Sequence, residues 1–324
     1  MTETSENKLQ NNRFGSKRRR ALGALTLALV FISSALFTYV YFNGGNPAIN
    51  SEVAAVDQSQ ATVATTTAFD NLSLQAKSAI VIDTTTGREL FEQNADAQLP
   101  LASLTKVALV LVVTSALPKD GFVSVPPGAK AFPAGSMWKL SDFVDYTLAI
   151  SSNEGADILA ENAQSAVHTQ YPQSSEDDAV LWRMNDLAHQ LGMTHTYFLN
   201  HNGLDDSPTQ SGAYGSARDM AALFAYAAST NLQAFSATTQ QSFTITSMGG
   251  SHVTAINTDE ALPSIPGILM GKTGYTDLAG GNLAVVFDEN GHRIVAVVLG
   301  STQQGRFSDM EALVADTGSA LSTP

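Results

Sequence analysis

The sequence predicts an α/β protein of the α+β type: an antiparallel sheet flanked by helices, with a mostly helical subdomain inserted and an N-terminal transmembrane helix ahead of it. Three observations carry this prediction. Strand-like segments stand near both ends of the globular part, at 78–92 and 282–300, and helical periodicities fill most of the interval between them. A last helical stretch runs from about Phe307 to Leu321. A sheet assembled from both ends of the chain, with the helical block as an insertion, is the simplest packing of that order.

Residues 1–20 hold six basic residues against two acidic ones and end in Lys17-Arg18-Arg19-Arg20, a basic cytoplasmic tail. Ala21 to Phe42 then carries no charge. At about 1.5 Å per residue such a helix spans roughly 33 Å, enough for a hydrocarbon core. The positive flank places the N-terminus in the cytoplasm, and Phe37, Tyr39, Tyr41 and Phe42 gather at the far end as an interfacial belt. A cleaved signal peptide is the competing reading, but its apolar core runs only about 7–15 residues before a small-x-small site. The longer run here favours an uncleaved, single-pass anchor, and under either reading the body is exported. Residues 43–69, rich in Ala, Ser, Thr, Asn and Gln, read as a flexible linker, and 70–324 as the folded domain.

The domain opens with Ser78 to Asp83, a turn over Thr84 to Gly87, and Arg88 to Glu92, which read as a hairpin. Next comes Pro100 to Leu117, PLASLTKVALVLVVTSAL, whose unbroken apolar run from Val107 to Val113 predicts a helix buried all round. A short strand is expected over Asp120 to Val125, and Pro126-Pro127-Gly128, Pro133 and Gly135 mark a loop. Leu140, Phe143, Val144, Thr147 and Leu148 keep helical spacing through Ile150, with Ser141 placed to cap the start. Ser151-Ser152-Asn153 is a polar break before a second helix from Glu154 to about Gln164. Ser174 and Ser175, followed by Glu176, Asp177 and Asp178, announce a helix that runs to about Leu191 and stops at Gly192. Ser216-Ala217-Arg218-Asp219 resembles a capping box ahead of Met220 to Ala228. Phe243 to Thr246 is strand-like, and Asn282 to Asp288 with Arg293 to Gly300 forms a hairpin across Glu289-Asn290-Gly291-His292.

Composition narrows the chemistry. The chain has no cysteine, which excludes disulfides, thiol catalysis and thiolate metal sites. None of the six histidines stands at metal-ligand spacing, so no metal and no cofactor is expected. The formal net charge is −13, and beyond the basic tail the chain holds 11 basic against 28 acidic residues, a body that repels nucleic acid.

Ser103 and Lys106 open the buried helix at i and i+3, which puts hydroxyl and amine on one face. Burial lowers a lysine pKa toward the neutral form that can take a proton from Ser103. The first turn supplies free N–H groups and the positive helix end, both favourable to developing negative charge. Ser-x-x-Lys also occurs at Ser5 and Ser136, but only the copy at Ser103 opens a long apolar helix. Ser-x-Asn occurs at Ser5, Ser151 and Ser229, and only Ser151 falls at an interhelical break between the other two motifs. Lys272-Thr273-Gly274 is the one such triplet in the chain, where apolar Ile268 to Met270 turns into a glycine-rich stretch, as at an exposed edge strand. Its lysine offers a point charge to an anion and its threonine a hydroxyl. Its glycine lets another backbone approach.

In this order and spacing, Ser-x-x-Lys, Ser-x-Asn and Lys-Thr-Gly resemble the penicillin-binding proteins and serine β-lactamases. AIVIDTTTGRELFEQNADAQLPLASLTK, GMTHTYFLNHNGLDD, SARDMA, KTGYTDLAGG and RIVAVVLGST narrow the resemblance to the low-molecular-mass D-alanyl-D-alanine carboxypeptidases. That resemblance implies a β-lactamase/DD-peptidase-like fold and a serine carboxypeptidase that removes terminal D-Ala from peptidoglycan stem pentapeptides. Ser103 would be the nucleophile and Lys106 its base, within hydrogen-bond reach of both Ser103 and Ser151. Ser151 would relay a proton to the leaving amine. Asn153 would bind the acyl side of the substrate, and Lys272 and Thr273 its terminal carboxylate. The N–H groups of Ser103 and Tyr275 would form the oxyanion hole, and Gly274 and Tyr275 count with Asn153, Lys272 and Thr273 as substrate-binding residues. The implied partners are the stem peptide, β-lactams as covalent inhibitors, and the cell membrane through Ala21 to Phe42, with the domain on the cell-wall side. For Asn202-Gly203-Leu204-Asp205 a turn is a sufficient explanation, and Ser216 and Asp219 read as capping.

Many family members carry a further β-rich C-terminal domain and a C-terminal amphipathic membrane helix; here the expected anchor is N-terminal and the sequence stops at Pro324. The rival readings are a D,D-endopeptidase, a class A-like β-lactamase, and a catalytically silent cell-wall scaffold. The Glu-x-x-Leu-Asn segment expected of a class A enzyme does not stand between Ser151 and Lys272. The intact motif residues speak against a silent member.

Overall fold

The computed structural model describes residues 67–322. The expected basic tail, membrane anchor and nearly all of the linker lie outside the described residues. Among the described residues no helix is long and apolar enough to cross a membrane.

The described residues open with a 3-10 turn (Thr67–Phe69) and strands β1 (Ser78–Asp83), β2 (Arg88–Gln93) and β3 (Leu99–Pro100), then a 3-10 turn (Ala102–Leu104) and helix α1 (Thr105–Ala116). Strands β4 (Phe122–Ser124) and β5 (Met137–Lys139) precede helices α2 (Leu140–Ala149), α3 (Asn153–Gln170) and α4 (Ala179–Gln190). There follow β6 (Tyr197–Phe198), β7 (Ala213–Gly215), α5 (Ala217–Thr230), a 3-10 segment (Leu232–Thr239), β8 (Ser242–Thr246) and β9 (His252–Ile256). Strands β10 (Ile268–Thr276), β11 (Gly280–Glu289) and β12 (His292–Ser301) lead into α6 (Gly305–Ser322).

The main sheet runs β10-β11-β12-β1-β2 and every pair in it is antiparallel. Segments from both ends of the folded part thus build one sheet, as expected. Its central strands are apolar on both faces because both faces are covered. On β12, Val295, Val297 and Leu299 join the core around α1, while Ile294, Ala296 and Val298 face the core that holds Phe307, Met310 and Leu313 of α6. The period of two along a strand sorts these residues to their sides. Helix α1 has the predicted character: Thr105 through Val113 are all buried. A helix with no wet face fixes the position of its first turn, because each fully buried Val or Leu contributes about 1.5–3 kcal/mol to keeping it there.

Several local expectations change. Lys139, not Ser141, is the N-cap of α2; the Ser141 hydroxyl donates to Asp142 Oδ1 at 3.1 Å from inside the first turn. The helix after Ser174 starts later, at Ala179, since the Ser174 hydroxyl donates back to Tyr171 O at 2.7 Å and closes a turn. Helix α3 runs on to Gln170, with Ser152 Oγ accepting from Gly155 N at 2.9 Å as its N-cap. Ser216 caps α5 by accepting from Asp219 N at 3.1 Å. The Asp219 carboxylate turns away from the cap and accepts from His195 N and Thr196 Oγ1, both at 2.8 Å. Phe243 to Thr246 pairs with His252 to Ile256 in a separate hairpin that was not expected.

Candidate active site

The 3-10 turn places Ser103 one residue after a strained backbone position: Ala102 has φ +48°. Such a conformation costs a non-glycine residue about 1–3 kcal/mol and persists only where its surroundings enforce it. Here they do. Thr105 Oγ1 donates to Ala102 O at 2.7 Å, and Asn282 of β11 donates to Pro100 O at 3.0 Å. Gly203, at φ +81°, packs so tightly on this turn that an added Cβ would lie 1.9 Å from Ala102 O. The nucleophile turn is therefore clamped between the sheet and the loop that carries Asn202 to Asp205.

Lys106 is fully buried, and its ammonium nitrogen contacts Ser103 Oγ at 2.7 Å, Asn153 Oδ1 at 2.8 Å and Asn202 O at 2.7 Å. Burial pulls its pKa down to about 7, against a smaller opposing pull from Asp157. An amine in that range exchanges protons readily near neutrality, as a general base must.

Ser151 follows the last turn of α2 at φ +60°, a second strained non-glycine position. Its hydroxyl accepts from Lys272 Nζ at 2.9 Å. The expected contact between Lys106 and Ser151 is not made: Lys106 places its three protons on Ser103, Asn153 and Asn202 O, and Ser151 belongs to Lys272. Spacing along the chain does not reveal which of two converging lysines a hydroxyl will meet.

Strand β10 forms the edge of the main sheet, as expected, yet Lys272 and Thr273 are buried rather than exposed. Lys272 also donates to Thr273 O at 2.9 Å, and the Thr273 hydroxyl pairs with Thr258 Oγ1 at 2.6 Å. Gly274 runs against the nucleophile turn, where an added Cβ would lie 3.2 Å from Ser103 N. Arg306 Nη1 on α6 donates to Gly274 O at 2.8 Å. Since a trans peptide directs its C=O and N–H oppositely, this bond turns the Tyr275 N–H away from α6. Tyr275 itself is 45% exposed at the rim.

Two hydrogen-bonded groups, Ser103-Lys106-Asn153 and Ser151-Lys272-Thr273, are thus joined where Gly274 packs against the nucleophile turn, with Tyr275 next along the strand. Sequence reasoning missed four contributors. Asn202, read as part of a plain turn, gives its carbonyl to Lys106, while its side chain accepts from Leu204 N and donates to Asp157. Asp205 ties the same loop to the end of β10 by accepting from Thr276 Oγ1 at 2.9 Å and Leu278 N at 3.1 Å. Thr258 and Arg306 brace β10 from outside the three motifs. The Asn-Gly pair was the one local signal, because a glycine beside a motif-rich turn often marks close backbone approach.

Comparison with known proteins gives these motifs a family. The family model described as peptidase S11, D-alanyl-D-alanine carboxypeptidase, matches residues 62–303. D-alanyl-D-alanine carboxypeptidase DacF of Bacillus subtilis is 29% identical over 238 residues, covering 71% of this chain and 59% of its own length. D-alanyl-D-alanine carboxypeptidase DacA of Escherichia coli is 29% identical over 251 residues, covering 74% and 60%. The chain thus spans about three fifths of these relatives. Among solved structures, penicillin-binding protein D2 of Listeria monocytogenes in its cefotaxime-bound form superposes with a TM-score of 0.63 at 27% identity, over 76% of this chain and 99% of that one. On the extent of the family match, this chain belongs to the D-alanyl-D-alanine carboxypeptidase family of serine peptidases.

Proposed function

We propose that this protein is a serine D,D-carboxypeptidase that removes the terminal D-Ala from peptidoglycan stem pentapeptides through an acyl-enzyme on Ser103. One observation carries the reading above the others: a buried Lys106 amine, lowered to about 7, sits 2.7 Å from Ser103 Oγ. Neutral Lys106 takes the Ser103 proton as Oγ attacks the carbonyl of the penultimate D-Ala. The resulting oxyanion is held by the N–H groups of Ser103 and Tyr275, and loss of one such donor generally costs about 2.7–4 kcal/mol. Lys106 returns the proton to the leaving amine, the C–N bond breaks, and D-Ala departs. Water then cleaves the ester, and Ser103 recovers its proton.

Lys272 has two of its three protons placed, on Ser151 and Thr273 O, which leaves one for the terminal carboxylate beside the Thr273 hydroxyl. Asn153 gives its oxygen to Lys106 and keeps its amide N–H groups for the acyl side of the substrate. β-Lactams, which present a carboxylate and a strained amide in a similar arrangement, would acylate Ser103 in the same way. Residues 70–324 would work on the cell-wall side of the cell membrane, held by a single span over Ala21 to Phe42 with the N-terminus in the cytoplasm and residues 43–69 as tether. The uncharged run and its basic flank support that placement.

Incubation with a pentapeptide ending in D-Ala-D-Ala, and separately with crosslinked muropeptides, tests the substrate. Release of D-Ala from the pentapeptide is the expected result. Cleavage of crosslinks alone would make the protein an endopeptidase, and no reaction with either would make it a silent wall protein.

A further inference from the structure

Just after β9, one threonine outside the three motifs bridges the end of α2 and strand β10. Thr258 N donates to Ala149 O at 3.1 Å, two residues before Ser151, and the Thr258 hydroxyl lies 2.6 Å from the hydroxyl of Thr273. Its neighbours hold it there. Asn257 N donates to Gln241 O at 2.9 Å, and Asn257 Nδ2 donates to Thr238 O at 2.7 Å and to Gln240 O at 3.0 Å. Beyond Thr258, Asp259 N donates to Asn257 Oδ1 at 3.0 Å and closes the turn. Thr238 Oγ1 in turn accepts from Gly271 N at 3.1 Å, which fixes the segment to β10 two residues before Thr273. Lys272 and Thr273 thus reach the same end of α2, Lys272 at Ser151 and Thr273 through Thr258 at Ala149.

The two hydroxyls carry two protons and have few acceptors. Among the described residues Thr273 Oγ1 makes one hydrogen bond, that with Thr258, while Thr258 Oγ1 also reaches Ala149 O at 3.4 Å. An O–H···O bond runs about 2.5–3.0 Å, so this longer contact is weak. Two proton orders follow. With Thr273 donating to Thr258, the Thr258 proton is left with the long contact alone. With Thr258 donating to Thr273, the Thr273 proton has no acceptor among the described residues. An anion at Thr273 supplies that acceptor, and only then does every proton of the pair have a good partner. The bond so gained is charge-assisted, the stronger kind.

We propose that Thr258 is a positioning residue for the substrate's terminal carboxylate: its hydroxyl donates to Thr273 Oγ1 and so frees the Thr273 proton for that carboxylate. The inference rests on the proposed function. Thr258 acts through Thr273 alone and touches none of the reacting atoms. A hydroxyl that accepts one hydrogen bond donates a stronger one, because bonds in a chain polarise one another. The order of the chain also bears on specificity. A carboxylate offers an acceptor oxygen both to Thr273 and to the uncommitted proton of Lys272, whereas a C-terminal amide offers one oxygen and sets its NH2 donors against the other group.

The test is kcat/KM for release of D-Ala from the pentapeptide by wild type, Thr258→Val, Thr258→Ser, Thr273→Val and the double variant Thr258→Val with Thr273→Val. Melting temperatures are measured beside it. Thr258→Val keeps the shape and removes the donor, so kcat/KM is expected to fall about tenfold, while Thr258→Ser, which keeps the hydroxyl, stays within about threefold of wild type. Once Thr273 is valine, the change at Thr258 is expected to add no further loss, because no hydroxyl remains for it to orient. Should Thr258→Val melt below the assay temperature, Thr258→Ala carries the same comparison. A Thr258→Val rate equal to wild type, a serine variant as slow as the valine one, or an undiminished loss in the double variant would overturn the assignment. A wild type that releases no D-Ala and forms no penicillin adduct removes the proposed function instead, which keeps the two failures distinct.

Discussion

Lys106 and Lys272 share the cleft and are both buried, yet Lys106 places three protons on fixed acceptors whereas Lys272 places two. Each has an acidic group acting on it, Asp157 for Lys106 and Asp259 for Lys272. Asp157 is solvent-exposed and reaches the site through Asn202, while Asp259 is enclosed against β10. The difference assigns the work. Burial lowers Lys106 to about 7, so it can shed a proton near neutrality and act as a base. Lys272 keeps one proton uncommitted to Ser151 and Thr273 O, which suits it to receive an anion.

Substitution breaks this comparison most sharply at the base. Lys106→Met is expected to slow penicillin acylation by about 10³–10⁴-fold, the upper range for a general base. In wild type the rate should fall about tenfold per unit as pH drops below about 7, because protonated Lys106 can accept no further proton. Stopped-flow acylation measures both. Lys272→Met should leave Ser103 reactive and reduce kcat/KM by about 10²-fold, the scale of one lost buried charge partner. That loss should appear only with substrates bearing a free terminal carboxylate; an equal loss with their amides would contradict the receptor role.

Gly203→Ala separates clamp from chemistry. The new methyl would collide with Ala102 O and occupy a left-handed conformation, so thermal unfolding should show a loss of about 3 kcal/mol. Smallest of all should be Asp157→Asn, which can still accept from Asn202 and removes only a screened charge. The acid limb should move to lower pH by less than about one unit and should shift less at high salt. An acid limb that stays in place, or moves to higher pH, would contradict the pull of Asp157 on Lys106.

Much of this arrangement was legible in the sequence. The Val107 to Val113 run could only be a helix without a wet face, and Asn290-Gly291, with φ +50° and +82°, turned β11 into β12 where an Asn-Gly pair between apolar runs demands it. What escaped were interactions set by loop geometry. A backbone carbonyl, that of Asn202, holds the base, and carbonyls leave no trace in side-chain identity. The resemblance implies a contact of Ser151 with Lys106, whereas Ser151, with its left-handed backbone, meets Lys272. Thr258, Asp259 and Arg306 stand in no motif and become visible only once β10 is seen packed against their segments.

The central claim is that Lys106 activates Ser103 for covalent attack. Labelling with a fluorescent penicillin, followed by denaturing electrophoresis and peptide mass mapping, tests it most directly. Wild type is expected to form a long-lived adduct on the peptide containing Ser103, and Ser103→Ala, with its fold shown intact by an unchanged melting temperature, none. An adduct that survives the substitution would contradict the account.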